Sequence, residues 1–424
     1  MHDAGSDAAD LFDGGGAADA GEPFDGGGAA DAGLKADAGE PFDGGGAVDA
    51  GLNTDAGGPF DAGTADAGTP DAGGASDAGA ADAGRLALEV TYTDSEHEIL
   101  CADASGTVYA VSRSAGTQNL LASSDGARTF VARGVAPHGG EFFNLTVLGD
   151  GTLLADVRVG ASHAIARSTD AGATWSEVLP LGDYRTLTPH SFAQLGTMIY
   201  LLEYQVFTGA DTPIGLHVSS DAGLTWTLRY TFQGHRHGHG LRADPARGVL
   251  WAWFGDTTPQ CGVYRSADGG FTWRLVLGGQ EGDVVDGEVL PDGSVLFGQD
   301  ISYLPPMAAV ATVDATGTYA HLVDLTGPAY STHAIRSGGF VIGAARESNG
   351  DLYAAGEVSA HVFGSADGVN WEDLLSYPRA SDVDDVRADV YWELPSGELV
   401  LELRNARGFG AFNSGFQLLR AYRH

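Results

Sequence analysis

One octapeptide constrains this chain more than any other feature. It reads SSDGARTF from Ser123, STDAGATW from Ser168, SSDAGLTW from Ser219 and SADGGFTW from Ser266. A degenerate copy, TVDATGTY, starts at Thr312, and the shorter SADGVNW starts at Ser365. Successive copies begin 45, 51, 47, 46 and 53 residues apart, and a remnant, FNSGF, follows at Phe412. A period near 50 residues marks an array in which one supersecondary unit is repeated and stacked. The stretches between copies are short alternating apolar runs broken by Gly and Asp, which is a strand signature, and helical periodicity is nearly absent.

A second ladder of tight turns runs between the copies: DASG at 103–106, GDG at 149–151, LG at 195–196, PARG at 245–248, PDG at 291–293, SNG at 348–350 and PSG at 395–397. Seven turns and seven copies or remnants predict an all-β fold, a seven-bladed β-propeller with four-stranded blades, over residues 85–424. Two segments compete to complete the last blade: LALEVTYTD at 86–94 and FQLLRAY at 416–422. The N-terminal segment is favoured as the strand that closes the ring.

The octapeptides resemble Asp boxes, the Ser/Thr-x-Asp-x-Gly-x-Thr-Trp (BNR) repeats of the sialidase-like propeller superfamily. The residue types explain the motif. Gly permits a tight bend, Asp accepts backbone N–H bonds within its own loop, and Trp anchors the loop between blades. Asp125, Asp170, Asp221, Asp268, Asp314 and Asp367, with Trp175, Trp226, Trp273 and Trp371, are therefore read as structural.

Residues 1–84 differ sharply in composition. They hold 18 acids, one base and eleven copies of Asp-Ala-Gly, none of them followed by Thr-Trp. With four Phe and a few Leu, the segment has too little apolar surface to offset the entropy of ordering, and it reads as a disordered acidic linker. It resembles the stalks of bacterial surface lipoproteins. That resemblance implies a secreted or outer-membrane-tethered protein whose signal sequence, with a lipidated Cys, precedes the sequence given.

The remaining 340 residues carry 39 acids and 21 bases, all Arg. That balance argues against nucleic acid as a partner. No apolar run approaches the length of a membrane span. A monomer is expected. Cys101 and Cys261 fall in blades nearly opposite one another, beyond the reach of a disulfide, and two free thiols are expected.

Strand direction alternates within a blade, so the octapeptides and short turns share one face. Longer connections, at 180–190, 231–240, 255–262 and 278–287, share the other, where a propeller carries its site. The most unusual run there is GHRHGHG at 234–240. In extended chain His235, His237 and His239 point to one side, a spacing suited to a divalent metal. His235, His237, His190 and His333 are the candidate metal ligands, and His190, Arg236, His237, His239, Asp256, Asp300, His333 and Arg387 the candidate ligand-binding residues. Against this stands a plainer reading, in which the histidines hydrogen-bond loop carbonyls. No cofactor is required by the sequence.

Resemblance to Asp-box hydrolases and to propeller polysaccharide lyases nominates Asp283, Asp286, Glu141, Glu288, Tyr204 and Tyr330 as catalytic candidates. Classical sialidase activity is not expected. No Arg-Ile-Pro occurs, and the adjacent Glu203 and Tyr204 point to opposite faces of a strand. The leading expectation is binding of an extracellular glycan or another surface ligand at the funnel opposite the octapeptides. The alternatives are a glycosidase or polysaccharide lyase in the same funnel, and a platform for a surface protein.

Overall fold

The computed structural model describes residues 84–205, 212–256, 258–302, 308–347, 358–381 and 384–424. The expectation of a disordered tail falls on residues 1–83, outside that range. The described residues form 28 strands in seven four-stranded antiparallel sheets. The seven-bladed propeller expected from the repeats is the fold observed.

After β1 (Leu86–Asp94), the first blade contains β2 (His97–Ala102), β3 (Val108–Ser112), β4 (Gly116–Ser123) and β5 (Val131–Val135). The second contains β6 (Glu141–Val147), β7 (Leu153–Val159), β8 (Ser162–Ser168) and β9 (Ser176–Gly182). The third contains β10 (Phe192–Leu195), β11 (Met198–Leu202), β12 (Ile214–Ser219) and β13 (Thr227–Phe232). The fourth contains β14 (His237–Asp244), β15 (Val249–Gly255), β16 (Gly262–Ser266) and β17 (Arg274–Gly278). The fifth contains β18 (Val284–Val289), β19 (Val295–Gln299), β20 (Ala309–Val313) and β21 (Tyr319–Asp324). The sixth contains β22 (Ala329–Ala334), β23 (Phe340–Ala344), β24 (Ser359–Ser365) and β25 (Trp371–Pro378). The seventh contains β26 (Arg387–Glu393), β27 (Glu398–Arg404) and β28 (Gly415–Arg423).

The ring closes through the N-terminal strand, as expected. β1 pairs antiparallel with β28, Leu86 opposite Arg423 and Asp94 opposite Phe416, giving the order β1-β28-β27-β26. FQLLRAY therefore supplies the third strand of the last blade and LALEVTYTD the fourth. This places FNSGF in the β27–β28 connection, on the face opposite the octapeptides. It is not a seventh copy, because the strand it would have introduced comes from the N-terminus.

One turn of the second ladder is also relocated. β22 and β23 are joined at residues 335–339, where Ile335 N–H donates to Gly339 O and Gly338 N–H to Ile335 O. Gly338 and Gly339 both hold positive φ, 100° and 97°. SNG at 348–350 follows β23 in sequence and lies outside the described residues.

First strands of neighbouring blades touch around the channel. Second strands are buried on both faces, which is why VLWAWFG in β15 is an unbroken apolar run. Apolar clusters form between successive blades. Leu120 of the first packs with Leu145 and Leu153 of the second, and Leu216 of the third with Leu250 of the fourth.

The octapeptides pin these contacts. In the second, Ser168 Oγ donates to Asp170 Oδ1 and accepts Gly172 N–H, while Thr174 donates to both Asp170 oxygens. The Trp175 indole N–H reaches Gly172 O at 3.0 Å, and its ring lies 5.2 Å from Phe142 in the cluster between blades one and two. Trp226, Trp273 and Trp371 repeat that bond and each joins the cluster shared with the preceding blade. Asp125 and Asp367 accept similar bonds. In the degenerate fifth copy Asp314 instead receives Thr316, Gly317 and Thr318 N–H groups.

Cys101 and Cys261 are free and buried, and burial pushes the Cys101 thiol up to about 12. No helix among the described residues is long and apolar enough to cross a membrane.

Candidate functional site

The His-Gly alternation that opens β14 has a steric cause. A Cβ on Gly238 would sit 2.6 Å from Leu202 Cγ, and one on Gly240 would sit 2.8 Å from Trp253 Nε1. The face turned toward neighbouring chain has no room for side chains, so the imidazoles between them project to the other. A bulge between Gly238 and Gly240 then swings His239 beside His237, with ring centroids 4.9 Å apart.

Both rings are fixed in the same way. His237 Nδ1 lies 2.9 Å from Gln205 O, and His239 Nδ1 lies 2.9 Å from Val284 O. Carbonyl oxygens only accept, so each Nδ1 carries a proton. Each Nε2 faces the same atom, Asp256 Oδ1, at 2.8 and 2.9 Å. Arg236 Nη1 donates to the other oxygen of Asp256 at 2.7 Å. Tyr204 stacks on His237 at 4.3 Å, and the Arg185 guanidinium lies 5.1 Å from the Tyr204 ring.

Asp283 and Asp300 meet this group from blade five. Ligand atoms of His239, Asp256, Asp283 and Asp300 all lie within 4.8 Å of one another. A Cβ on Gly255 would sit 2.3 Å from both Asp283 Oδ1 and His239 Cε1, so the backbone there must be glycine. Asp283 is 4% exposed, and its Oδ1 has no hydrogen-bond partner among the described residues.

Glu347, just after β23, completes the floor. Tyr330 Oη donates to its Oε1 at 2.5 Å, and Ser302 donates to its Oε2. The Arg387 guanidinium lies 4.4 Å from the Tyr330 ring and 3.5 Å from Asp385.

The carboxyls do not share one state. Burial, then the Asp256 charge, holds the Asp283 carboxyl well above the ordinary range, and burial and Asp283 do the same to Asp300. Burial lifts Glu347 to about 7 against the hydrogen bonds from Ser302 and Tyr330. Burial also opposes ionisation of Asp256, but His237 and His239 outweigh it and hold that carboxyl below its usual value.

Of the sequence candidates, Tyr204, Arg236, His237, His239, Asp256, Asp283, Asp300, Tyr330 and Arg387 belong to this part of the funnel. The others go elsewhere. His235 lies outside the strand, with Nδ1 2.6 Å from Gln260 O and its ring stacked 4.3 Å from Phe254. His190 pairs with Asp286 at 3.0 Å, so Asp286 is separated from Asp283 and joined to Arg242 instead. Burial opposes ionisation of Asp286, yet Arg242 and His190 hold it below the ordinary range. Glu288 lies 3.5 Å from Arg242, and Glu141 pairs with Arg158 at 2.6 Å. His333 is within β22 rather than in the loop before it, and faces Glu393 at 3.8 Å.

Glu347 was not foreseen. The signal was positional, since Tyr204, Asp256 and Asp300 also follow second strands. The turn expected at 348–350 put Glu347 at the wrong end of its blade.

No protein-family model and no curated protein matches the sequence. Solved structures with this fold include a streptogramin B lyase, TM-score 0.54 and 12% identity, covering 80% of this chain and 98% of that one. A virginiamycin B lyase from Staphylococcus aureus gives TM-score 0.51 and 12% identity over 79% of this chain and 99% of that one. A GH74 xyloglucanase from Xanthomonas campestris gives TM-score 0.51 and 13% identity over 78% of this chain and 55% of that one. At these identities the likeness establishes the seven-bladed fold.

Proposed function

We propose that this chain is an Asp-box propeller of the sialidase-like type, held outside a bacterial cell by its acidic tail. Its funnel floor serves as the acid–base centre of an enzyme acting on extracellular polysaccharide. The observation that supports this most is the convergence of Asp256, Asp283, Asp300 and His239 within 4.8 Å, beside Glu347 and Tyr330. A binding site for neutral sugar gains nothing from burying so many acids together. An acid–base centre does, because a group titrating near neutrality can both take and give a proton.

The spacing favours elimination over hydrolysis. Hydrolases place two carboxyls about 5–5.5 Å apart for retention or about 6.5–9.5 Å apart for inversion, with the glycosidic bond between them. Asp283 and Asp300 bring one oxygen each within 4.8 Å of the other, which leaves little room for a glycosidic bond between them. In an elimination, Glu347 takes the proton on the carbon next to a uronate carboxylate, the C–O bond to the leaving sugar breaks, and a C=C bond forms. The leaving oxygen is protonated by Tyr330, whose hydroxyl proton is already shared with Glu347. Arg236 and Arg387 supply positive charge for the acidic sugar.

The test is turnover by the full chain on acidic and neutral polysaccharides, read as unsaturated sugar and as new reducing ends. Glu347→Gln should lower kcat by about 10²–10⁴-fold. New reducing ends without unsaturated product would make it a hydrolase. Glycan binding without turnover on any substrate would sink the enzymatic reading in favour of a binding propeller.

A further inference from the structure

We infer that the funnel floor is a binding site for one divalent transition-metal ion of the zinc or manganese class, seated on His239 and Asp256. His237 completes it on one side, and Asp283 and Asp300 complete it on the other. Of the four histidines expected as metal ligands only His237 belongs to this set; His235, His190 and His333 face Gln260, Asp286 and Glu393 instead.

The argument starts from hydrogen accounting. His237 and His239 each commit Nδ1–H to a backbone carbonyl, Gln205 O and Val284 O. A neutral imidazole held that way presents a lone pair at Nε2. Two such nitrogens converge on one carboxylate oxygen, Asp256 Oδ1, at 2.8 and 2.9 Å. Without a metal a proton on each Nε2 holds these contacts, and one dication in place of those protons would bind all three atoms. Backbone carbonyls on the far nitrogen are also the usual means of fixing ring orientation and tautomer in a metal-binding histidine.

The second observation is independent of the histidines. Asp283, 4% exposed, turns an oxygen without a hydrogen-bond partner among the described residues into the same cluster. A buried carboxylate oxygen left without a donor is costly, and a cation removes that cost. Charge agrees. When ionised, Asp256, Asp283 and Asp300 outnumber the Arg236 guanidinium that pairs with Asp256, and a dication offsets that excess. Mixed imidazole and carboxylate donors suit zinc, manganese or ferrous iron better than calcium or magnesium, which prefer all-oxygen cages.

This inference goes beyond the enzymatic reading and stands without it, since metal is measured with no substrate present. The full chain, purified without chelator or affinity tag, is dialysed against Zn²⁺ and separately against Mn²⁺, and its metal content is measured. The expected result is one equivalent per chain, a Tm that rises with free metal, and loss of both in His237→Ala/His239→Ala. Glu141→Gln, away from the cluster, should keep its metal. Should the double variant fail to fold, Co²⁺ bound to the unaltered chain decides, through the visible absorption of mixed nitrogen and oxygen ligation. Content well below one equivalent with both ions, metal retained by the folded double variant, or binding of Ca²⁺ alone would each overturn the site. A metal-loaded chain inactive on every polysaccharide would refute the proposed function and leave this inference intact.

Discussion

The two faces of the propeller use aspartate in opposite ways. On the octapeptide face Asp170, Asp221 and Asp268 are each ringed by donors from their own loop, and their carboxyls are held down at about 2 by hydrogen bonds from Thr and Ser. On the funnel face burial and neighbouring acids push the Asp283 and Asp300 carboxyls up. The residue type is the same. What differs is whether the nearest groups donate hydrogen or compete for it. Donors make aspartate a structural clip, whereas crowded acids make a centre that holds protons or cations.

The largest test of this contrast is Asp256→Ala. It leaves His237, His239 and Arg236 without the carboxylate that all three face. Removing one partner of a buried ionic group costs about 3–5 kcal/mol, so urea unfolding should show a loss of that order. An unchanged midpoint would mean that the cluster is not held together through Asp256.

Next come the anchors of the opposite face. Trp226→Ala and Trp273→Ala remove rings packed between blades, and each should cost about 3 kcal/mol because the rings are only partly buried. Both should leave metal content unaltered. A variant that loses metal while remaining folded would show that the two faces are not independent.

A smaller effect is expected at Glu402, across the channel. Burial and the neighbouring Glu98 raise its carboxyl to about 8, against Arg404 and Arg113. A raised folded pKa gives a contribution that is complete below the unfolded value of 4.5 and disappears as pH rises through about 8. Glu402→Gln, neutral at every pH, should flatten the decline of Tm on the alkaline side. An unaltered slope would contradict the assignment.

The smallest effect comes from the octapeptide aspartates, with the opposite sign. Their lowered pKa gives stability that is present above the unfolded value of 3.8 and lost as pH falls toward about 2. Asp170→Asn should therefore lower Tm slightly at neutral pH, where the lost contribution is complete, and flatten the fall of Tm between about pH 4 and 2. These carboxyls are exposed, so water screens much of the effect.

Much of the fold was legible because its signals are local. Gly172 in its turn and Trp175 at the edge of β9 act within eight residues of one another, and the motif repeats wherever a blade does. Two errors mark the limit of local reading. Ser348-Asn349-Gly350 and Ser337-Gly338-Gly339 offer equivalent turn chemistry, and only the pairing of β22 with β23 selects the second. Phe412–Phe416 looks like a worn octapeptide, but strand order places it on the other face.

The site was legible in kind and not in membership. The unusual GHRHGHG run led to His237, His239 and Asp256, yet alternation alone made His235 their equal, and the β14 bulge and the end of the strand separate them. His190 sat at the correct end of its blade and still pairs with Asp286.

The sequence by itself determined the number of blades and the face that carries the long loops, because both follow from turn chemistry and period within one repeat. The tertiary structure alone decided which imidazoles and carboxyls share a centre. Glu347, Asp300, Asp283 and Asp256 come from three blades, and their meeting depends on register, one bulge and the closure of the ring by β1. Those are set by packing between units far apart in the chain, where no local preference reaches.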